Sequence, residues 1–144
     1  MPEEILPNVL IVDDEEDARN VAKSYLEKRG YHVFTACDGE EGLKCMDSAD
    51  IKIVLCDINM PNIDGLEFLR RVRAHNFQAE VIMITGQSSV ERCIDSVEHG
   101  ACQYLIKPSK LEDIFAAIER ARRNIEEKKE MVRRAFKEKK GNPG

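Results

Sequence analysis

The chain has 144 residues, 42% of them hydrophobic and 34% charged, with a net charge of −5; these are the proportions of a soluble globular protein with enough chain for one core without disulfides or a structural metal. No stretch is apolar enough to span a bilayer, and the start, MPEEILPN, is acidic where a secretory signal would be basic and then apolar, so residence in the cytoplasm is expected. Residues 1–118 carry 12 Lys or Arg against 22 Asp or Glu, whereas residues 119–144 carry 10 against 5; an acidic body of this kind argues against nucleic acid as its direct ligand.

Asn8 to Val12 (NVLIV) is a short apolar run between Pro7 and the acidic cluster Asp13, Asp14, Glu15, Glu16 and Asp17, the pattern of a buried strand. From Ala18 the spacing becomes helical, with Ala18, Val21, Ala22, Tyr25 and Leu26 on the predicted inner face and Gly30 as the stop. Tyr31 to Ala36 alternates like a strand near a sheet edge. Asp38-x-x-Glu41 is a capping-box-like start for a short helix through Met46. After the polar turn DSAD comes Ile51 to Asp57 (IKIVLCD). It is too short for a helix and too uniformly apolar for a one-sided strand, which predicts a central strand buried on both faces and ending on a carboxylate.

Asn62 to Gly65 is turn chemistry, and Leu66, Leu69 and Val72 mark a third helix. Glu80 to Ile84 (EVIMI) predicts a fourth strand, ending on Thr85-Gly86. Ser88-x-x-Glu91 is a capping box for a helix with Val90, Ile94 and Val97 inward and Gly100 as its close. Cys102 to Ile106 (CQYLI) predicts a fifth strand ending on Lys107-Pro108, and Ser109-x-x-Glu112 caps a last helix from about Leu111. The five cysteines, Cys37, Cys45, Cys56, Cys93 and Cys102, include no C-x-x-C pair and have mostly apolar neighbours. They are expected to be buried reduced thiols.

Five strands alternating with five helices predict parallel strands with right-handed crossovers and a sheet covered on both faces. Four strand ends then share one rim: Asp13 and Asp14 after the first, Asp57 after the third, Thr85 after the fourth, Lys107 after the fifth. Three carboxylates gathered there repel one another and call for a cation. Oxygen-only ligation suits Mg²⁺, while an ammonium and a hydroxyl beside it make a place for an anionic group such as phosphoryl.

These residues, with Met60-Pro61, Asp64-Gly65, Tyr104 and Lys107-Pro108, resemble in order and spacing the receiver domain of two-component response regulators, over about residues 7–123. The resemblance implies a flavodoxin-like doubly wound sheet of strand order 2-1-3-4-5. It implies Asp57 as phosphoacceptor from a phosphohistidine on a sensor histidine kinase or phosphotransfer protein. Mg²⁺ would be held by Asp14 directly, by Asp13 mainly through water, by Asp57 and by the carbonyl of Asn59, with Lys107 neutralising the transferring group. Thr85 would bind a phosphoryl oxygen and Tyr104 would rotate into the space it vacates, repacking the face of the fourth helix, fifth strand and last helix. Asn59 and Gln87 occupy positions that tune the lifetime of the acyl phosphate; both can orient a water, which implies labile phosphorylation. Gly86 departs from the Ala often found there, which implies a looser loop.

The receiver is expected over residues 1–123 and a helical extension with a short disordered tail over 124–144. Leu111, Ile118, Ile125 and Val132 recur every seven residues, with Ile114, Ala121, Lys128 and Ala135 at the second heptad position, so the last helix is expected to reach about Lys139, roughly 45 Å. It is either a solvated tail or a seam for a homodimer, which Lys128 weakens. Two other function classes stay open: a small Mg²⁺-dependent phosphohydrolase, which would want a carboxylate where Asn59 stands, and a pseudo-receiver, which would have lost an acidic or Lys position.

Overall fold

Each apolar run expected as a strand finds a parallel partner. The computed structural model describes residues 5–75, 78–86, 90–98 and 100–141, the side chains at 90, 92, 93, 96, 140 and 141 excepted. Strands β1 (Asn8–Val12), β2 (Val33–Ala36), β3 (Ile51–Asp57), β4 (Glu80–Thr85) and β5 (Gln103–Ile106) alternate with helices α1 (Glu16–Glu27), α2 (Gly39–Ser48), α3 (Gly65–Ala74), α4 (Val90–Glu98) and α5 (Leu111–Gly141). The sheet order is β2-β1-β3-β4-β5, all parallel. This is the doubly wound, flavodoxin-like architecture expected from the sequence.

Strand alternation divides the core into two layers. Leu10, Val12, Val54, Cys56, Val81 and Met83 point to the side of α2 and α3, where Phe68, Leu69 and Val72 cover them. Val9, Ile11, Ile53, Leu55, Ile82 and Ile84 point to the side of α1 and α5, meeting Ala22, Leu26, Ile114 and Ile118. Both faces of β3 are therefore buried, which is why its sequence shows no alternation.

Several helix faces turn out differently. In α1, Ala22 and Leu26 are buried but Ala18 and Val21 are exposed, because only a narrow stripe of the helix reaches the sheet. In α3 Phe68 takes the central place expected of Leu66, which is only half-buried. In α4, Ile94 and Val97 are 54% and 46% exposed rather than inward. Cys37 and Cys102 are exposed thiols, Cys45 is half-buried, and only Cys56 of the described thiols is fully buried. The side chains of Val90 and Cys93, and residue Ser88 with its capping box, lie outside the described residues.

Caps explain two of the helix starts. Asp38 Oδ1 accepts from the Glu41 amide at 2.8 Å and Asp64 Oδ1 from the Glu67 amide at 2.9 Å. Ser109 does not cap α5; its hydroxyl donates to the Ile106 carbonyl at 2.9 Å. Gly65 opens α3 rather than completing a turn, and a Cβ there would lie 2.6 Å from the carbonyl oxygen of Asp57 and 2.7 Å from Cα of Ile58. Both are backbone atoms of the segment that carries Asp57, so they cannot yield cheaply. Gly65→Ala is expected to cost about 2–3 kcal/mol in chemical denaturation; an unchanged midpoint would show that the α3 start is not held against β3.

Candidate functional site

The parallel sheet sets the carboxyl ends of β1, β3, β4 and β5 along one rim, and chemistry-bearing side chains stand at all four. Asp57, the last residue of β3, is 5% exposed. Its Oδ1 accepts from the Asn59 amide at 3.0 Å, and its Oδ2 accepts from the Lys107 ammonium at 3.0 Å. The same ammonium lies 3.8 Å from Asp13 Oδ2. Asp13 follows β1; its Oδ1 accepts from the Glu15 amide at 2.9 Å and its carbonyl accepts from the Arg19 guanidinium at 2.6 Å. Asp14 is exposed beside it. Carboxylate oxygens of Asp13, Asp14 and Asp57 lie within 4.8 Å of one another.

One ammonium bridges two of the three carboxylates, Asp57 and Asp13. Burial pushes the Asp13 carboxyl above its ordinary value, only partly offset by the Glu15 amide and the charge of Lys107. Burial would lower the Lys107 ammonium, but its hydrogen bond to Asp57 and the charges of Asp57 and Asp13 outweigh that and raise it. The donor set, oxygen only with carboxylates in excess, fits a hard divalent ion such as Mg²⁺. A second group of potential ligands, Cys37, Asp38 and Glu41, is already committed: Asp38 caps α2 and Glu41 accepts from the Cys37 thiol at 2.9 Å.

Thr85 closes β4 with no exposed surface, and its hydroxyl has no hydrogen-bond partner among the described residues. The Lys107 amide donates to the Thr85 carbonyl at 2.6 Å, so the ends of β4 and β5 are tied together. Tyr104 is 43% exposed and shares the outward face of β5 with Ile106. Asn59 is exposed at the rim, and Gln87 lies outside the described residues. A Cβ at Gly86 would meet nothing within 4 Å, so packing does not require glycine there.

Sequence spacing brings Asp13, Asp14, Asp57, Thr85 and Lys107 to one rim, as the structure does. It did not single out the Arg19 bond that fixes the Asp13 backbone, nor the close approach of Gly65 behind Asp57. The signals for Gly65 are its place in the turn chemistry of Asn62 to Gly65 and in the Asp64-Gly65 motif of the resemblance.

A doubly wound, flavodoxin-like sheet whose carboxyl rim gathers three aspartates, a lysine and a buried threonine defines a class of α/β domain with its polar chemistry at the strand ends. Residues 9–119 match the family described as response regulator receiver domain. Among curated proteins, the chain is 36% identical over 116 residues to the uncharacterized transcriptional regulatory protein YkoG of Bacillus subtilis, covering 81% of this chain and 51% of that one. It is 32% identical to the regulatory protein AtoC of Escherichia coli, over 85% of this chain and 27% of that one. The chain thus spans about half of the first relative and about a quarter of the second. Among solved structures, the response regulator receiver domain protein of Clostridium thermocellum superposes with a TM-score of 0.79 at 31% identity, covering 84% of this chain and 98% of that one. The CheY-like receiver domain protein of Methanospirillum hungatei gives 0.81 at 31% identity, covering 86% and 99%. The chain belongs to the response regulator receiver domain family.

The raised Asp13 carboxyl carries a pH consequence. The folded state holds that proton more tightly than the unfolded chain, so ionised Asp13 opposes folding at neutral pH and ceases to do so below its ordinary value of 3.8, where both states are protonated. Asp13→Asn keeps an oxygen for the Glu15 amide. At pH 7 without divalent ions it is expected to raise the denaturant midpoint, with the gain shrinking as pH falls toward 3.8; a lower midpoint at pH 7 would refute this reading of Asp13.

Proposed function

We propose that this receiver takes a phosphoryl group onto Asp57 from a phosphohistidine of a sensor histidine kinase or phosphotransfer protein, and signals through the face of α4, β5 and α5. The observation that carries the reading is the buried Asp57 carboxylate held between the Asn59 amide and an ammonium that also faces Asp13.

An Asp57 oxygen attacks phosphorus as the bond from phosphorus to the donor imidazole nitrogen breaks. The products are an aspartyl phosphate and an imidazole that takes up a proton. Lys107, already at hydrogen-bond distance, passes from the Asp57 oxygen to the incoming phosphoryl oxygens and neutralises their charge. Asp14, Asp13, Asp57 and the Asn59 carbonyl would hold Mg²⁺, which when bound supplies further positive charge to the same oxygens. The chain is a phosphoacceptor that promotes only its own phosphorylation and dephosphorylation. Exposed Asn59, together with Gln87, would orient the water that hydrolyses the product.

An unsatisfied buried hydroxyl costs about 1–3 kcal/mol. Thr85 regains that energy by donating to a phosphoryl oxygen, and its movement opens space that half-exposed Tyr104 can fill. Ile94, Val97, Tyr104 and Ile106 together expose apolar surface on this side, which supports it as the switching face. The donor is expected at the cleft of about 620 Å³ between α1 and α5, where Ala18, Val21, Pro108 and Leu111 adjoin Asp13 and Lys107. A second copy of the chain is a further partner, along the outer turns of α5 where Met131, Val132 and Phe136 are exposed. Among the described residues no helix is long and apolar enough to cross a membrane, and a cytoplasmic site of action is part of this proposal.

Intact-mass measurement with Mg²⁺ and acetyl phosphate is expected to show one added phosphoryl group on the wild type and none on Asp57→Ala; uptake by Asp57→Ala would place the acceptor elsewhere. Thr85→Ala is expected to take up phosphoryl yet lose the change in hydrogen exchange over α4 and β5. A full change in that variant would remove Thr85 from the switch.

A further inference from the structure

At the opposite end of β4 from Thr85 stands a second buried polar group with no part in the phosphoryl site. Glu80, the first residue of β4, is 3% exposed and shares the strand face of Ile82 and Ile84, toward α5. An ionised carboxylate so placed needs a cation. Its Oε1 accepts from the Lys128 ammonium of α5 at 3.2 Å, while Oε2 has no hydrogen-bond partner that meets ordinary geometry. Burial, and after it the nearby Glu80 carboxylate, push the Cys102 thiol above its ordinary value.

Lys128 lies seven residues beyond buried Ala121, on the same stripe of the helix. The first part of α5 is held along its length. The Gln103 amide donates to the Ala117 carbonyl at 2.9 Å, the Tyr31 hydroxyl donates to Glu119 at 2.6 Å, and Ile125 packs against the core layer that includes Leu6. From Glu126 onward the described side chains are exposed, Lys128 among them, although its tip reaches Glu80. Among the described residues this is the last point at which the helix is held to the sheet by charge.

We infer that Glu80 and Lys128 form a clasp that fixes the direction in which α5 leaves the domain. The helix moves as part of the receiver up to about Lys129 and is free to take a partner only beyond it. The lysine that interrupts the heptad pattern is committed to its own chain, so any seam with another helix begins after it, at Met131, Val132, Ala135 and Phe136.

Hydrogen-exchange mass spectrometry of the whole chain tests this with Lys128→Met, Glu80→Gln and the double variant. Met keeps helix propensity and stem length, and Lys128 is exposed, so that variant folds even if a change at buried Glu80 does not. Amides of residues 124–132 are expected to exchange about tenfold faster in Lys128→Met than in wild type, while those of β1 and β3 are unchanged. The double variant is expected to exchange no faster than either single one, since both break the same contact. Unchanged exchange at 124–132 in Lys128→Met, equal acceleration in β1 and β3, or additive effects in the double variant would each overturn the clasp.

Discussion

Gathering three carboxylates at one rim, where a single ammonium bridges two of them, is the constraint around which this domain is arranged. Such a cluster is unfavourable in isolation, because like charges at close range in a half-buried site repel and each loses hydration. It persists because Lys107 reaches across from the end of β5, past β4, to bridge Asp57 and Asp13, and because backbone amides of Asn59 and Glu15 satisfy the oxygens that the ammonium does not reach. Those donors are available only where parallel strands end together. Antiparallel pairing would send half of these ends to the other side of the molecule.

The same sheet separates two messages by the alternation of one strand. Along β4, Thr85 faces the layer that includes α3 and β5's outward residues, whereas Glu80 faces α5. Thr85 therefore shares its sheet face with Tyr104 and Ile106, the register partners of Met83 and of Thr85 itself. At the far end of the strand, Glu80 meets Lys128 beyond the middle of the C-terminal helix. The two polar groups thus sit at opposite ends and on opposite faces of one strand, Thr85 at the rim and Glu80 under the C-terminal helix.

Much of this was legible in the residues because the signals were of the strong kind. Short apolar runs separated by helical spacing dictate a parallel α/β sheet, and once the strands are parallel, Asp13, Asp57, Thr85 and Lys107 must share a rim whatever their exact distances. Helix periodicity, by contrast, shows that a stripe exists but not how wide a part of it a neighbour covers. Ile94, Val97, Val21 and Ala18 sat on plausible inner faces and are exposed. Pairwise approach was equally hidden. Nothing in the pattern at Lys128 distinguishes a weak seam position from the partner of a buried glutamate 48 residues earlier, and nothing around Gly65 shows that the backbone of Asp57 passes behind it.

The rim sets three carboxylates against the one Lys107 ammonium, and completion by a hard dication is the proposal on which the function rests. Calorimetric titration of Mg²⁺ into the wild type and into Asp14→Asn addresses this directly. The expected result is one saturable site in the wild type, with affinity lost by an order of magnitude or more when Asp14 is neutralised. Absence of saturable binding in the wild type, or equal affinity in the two proteins, would contradict it.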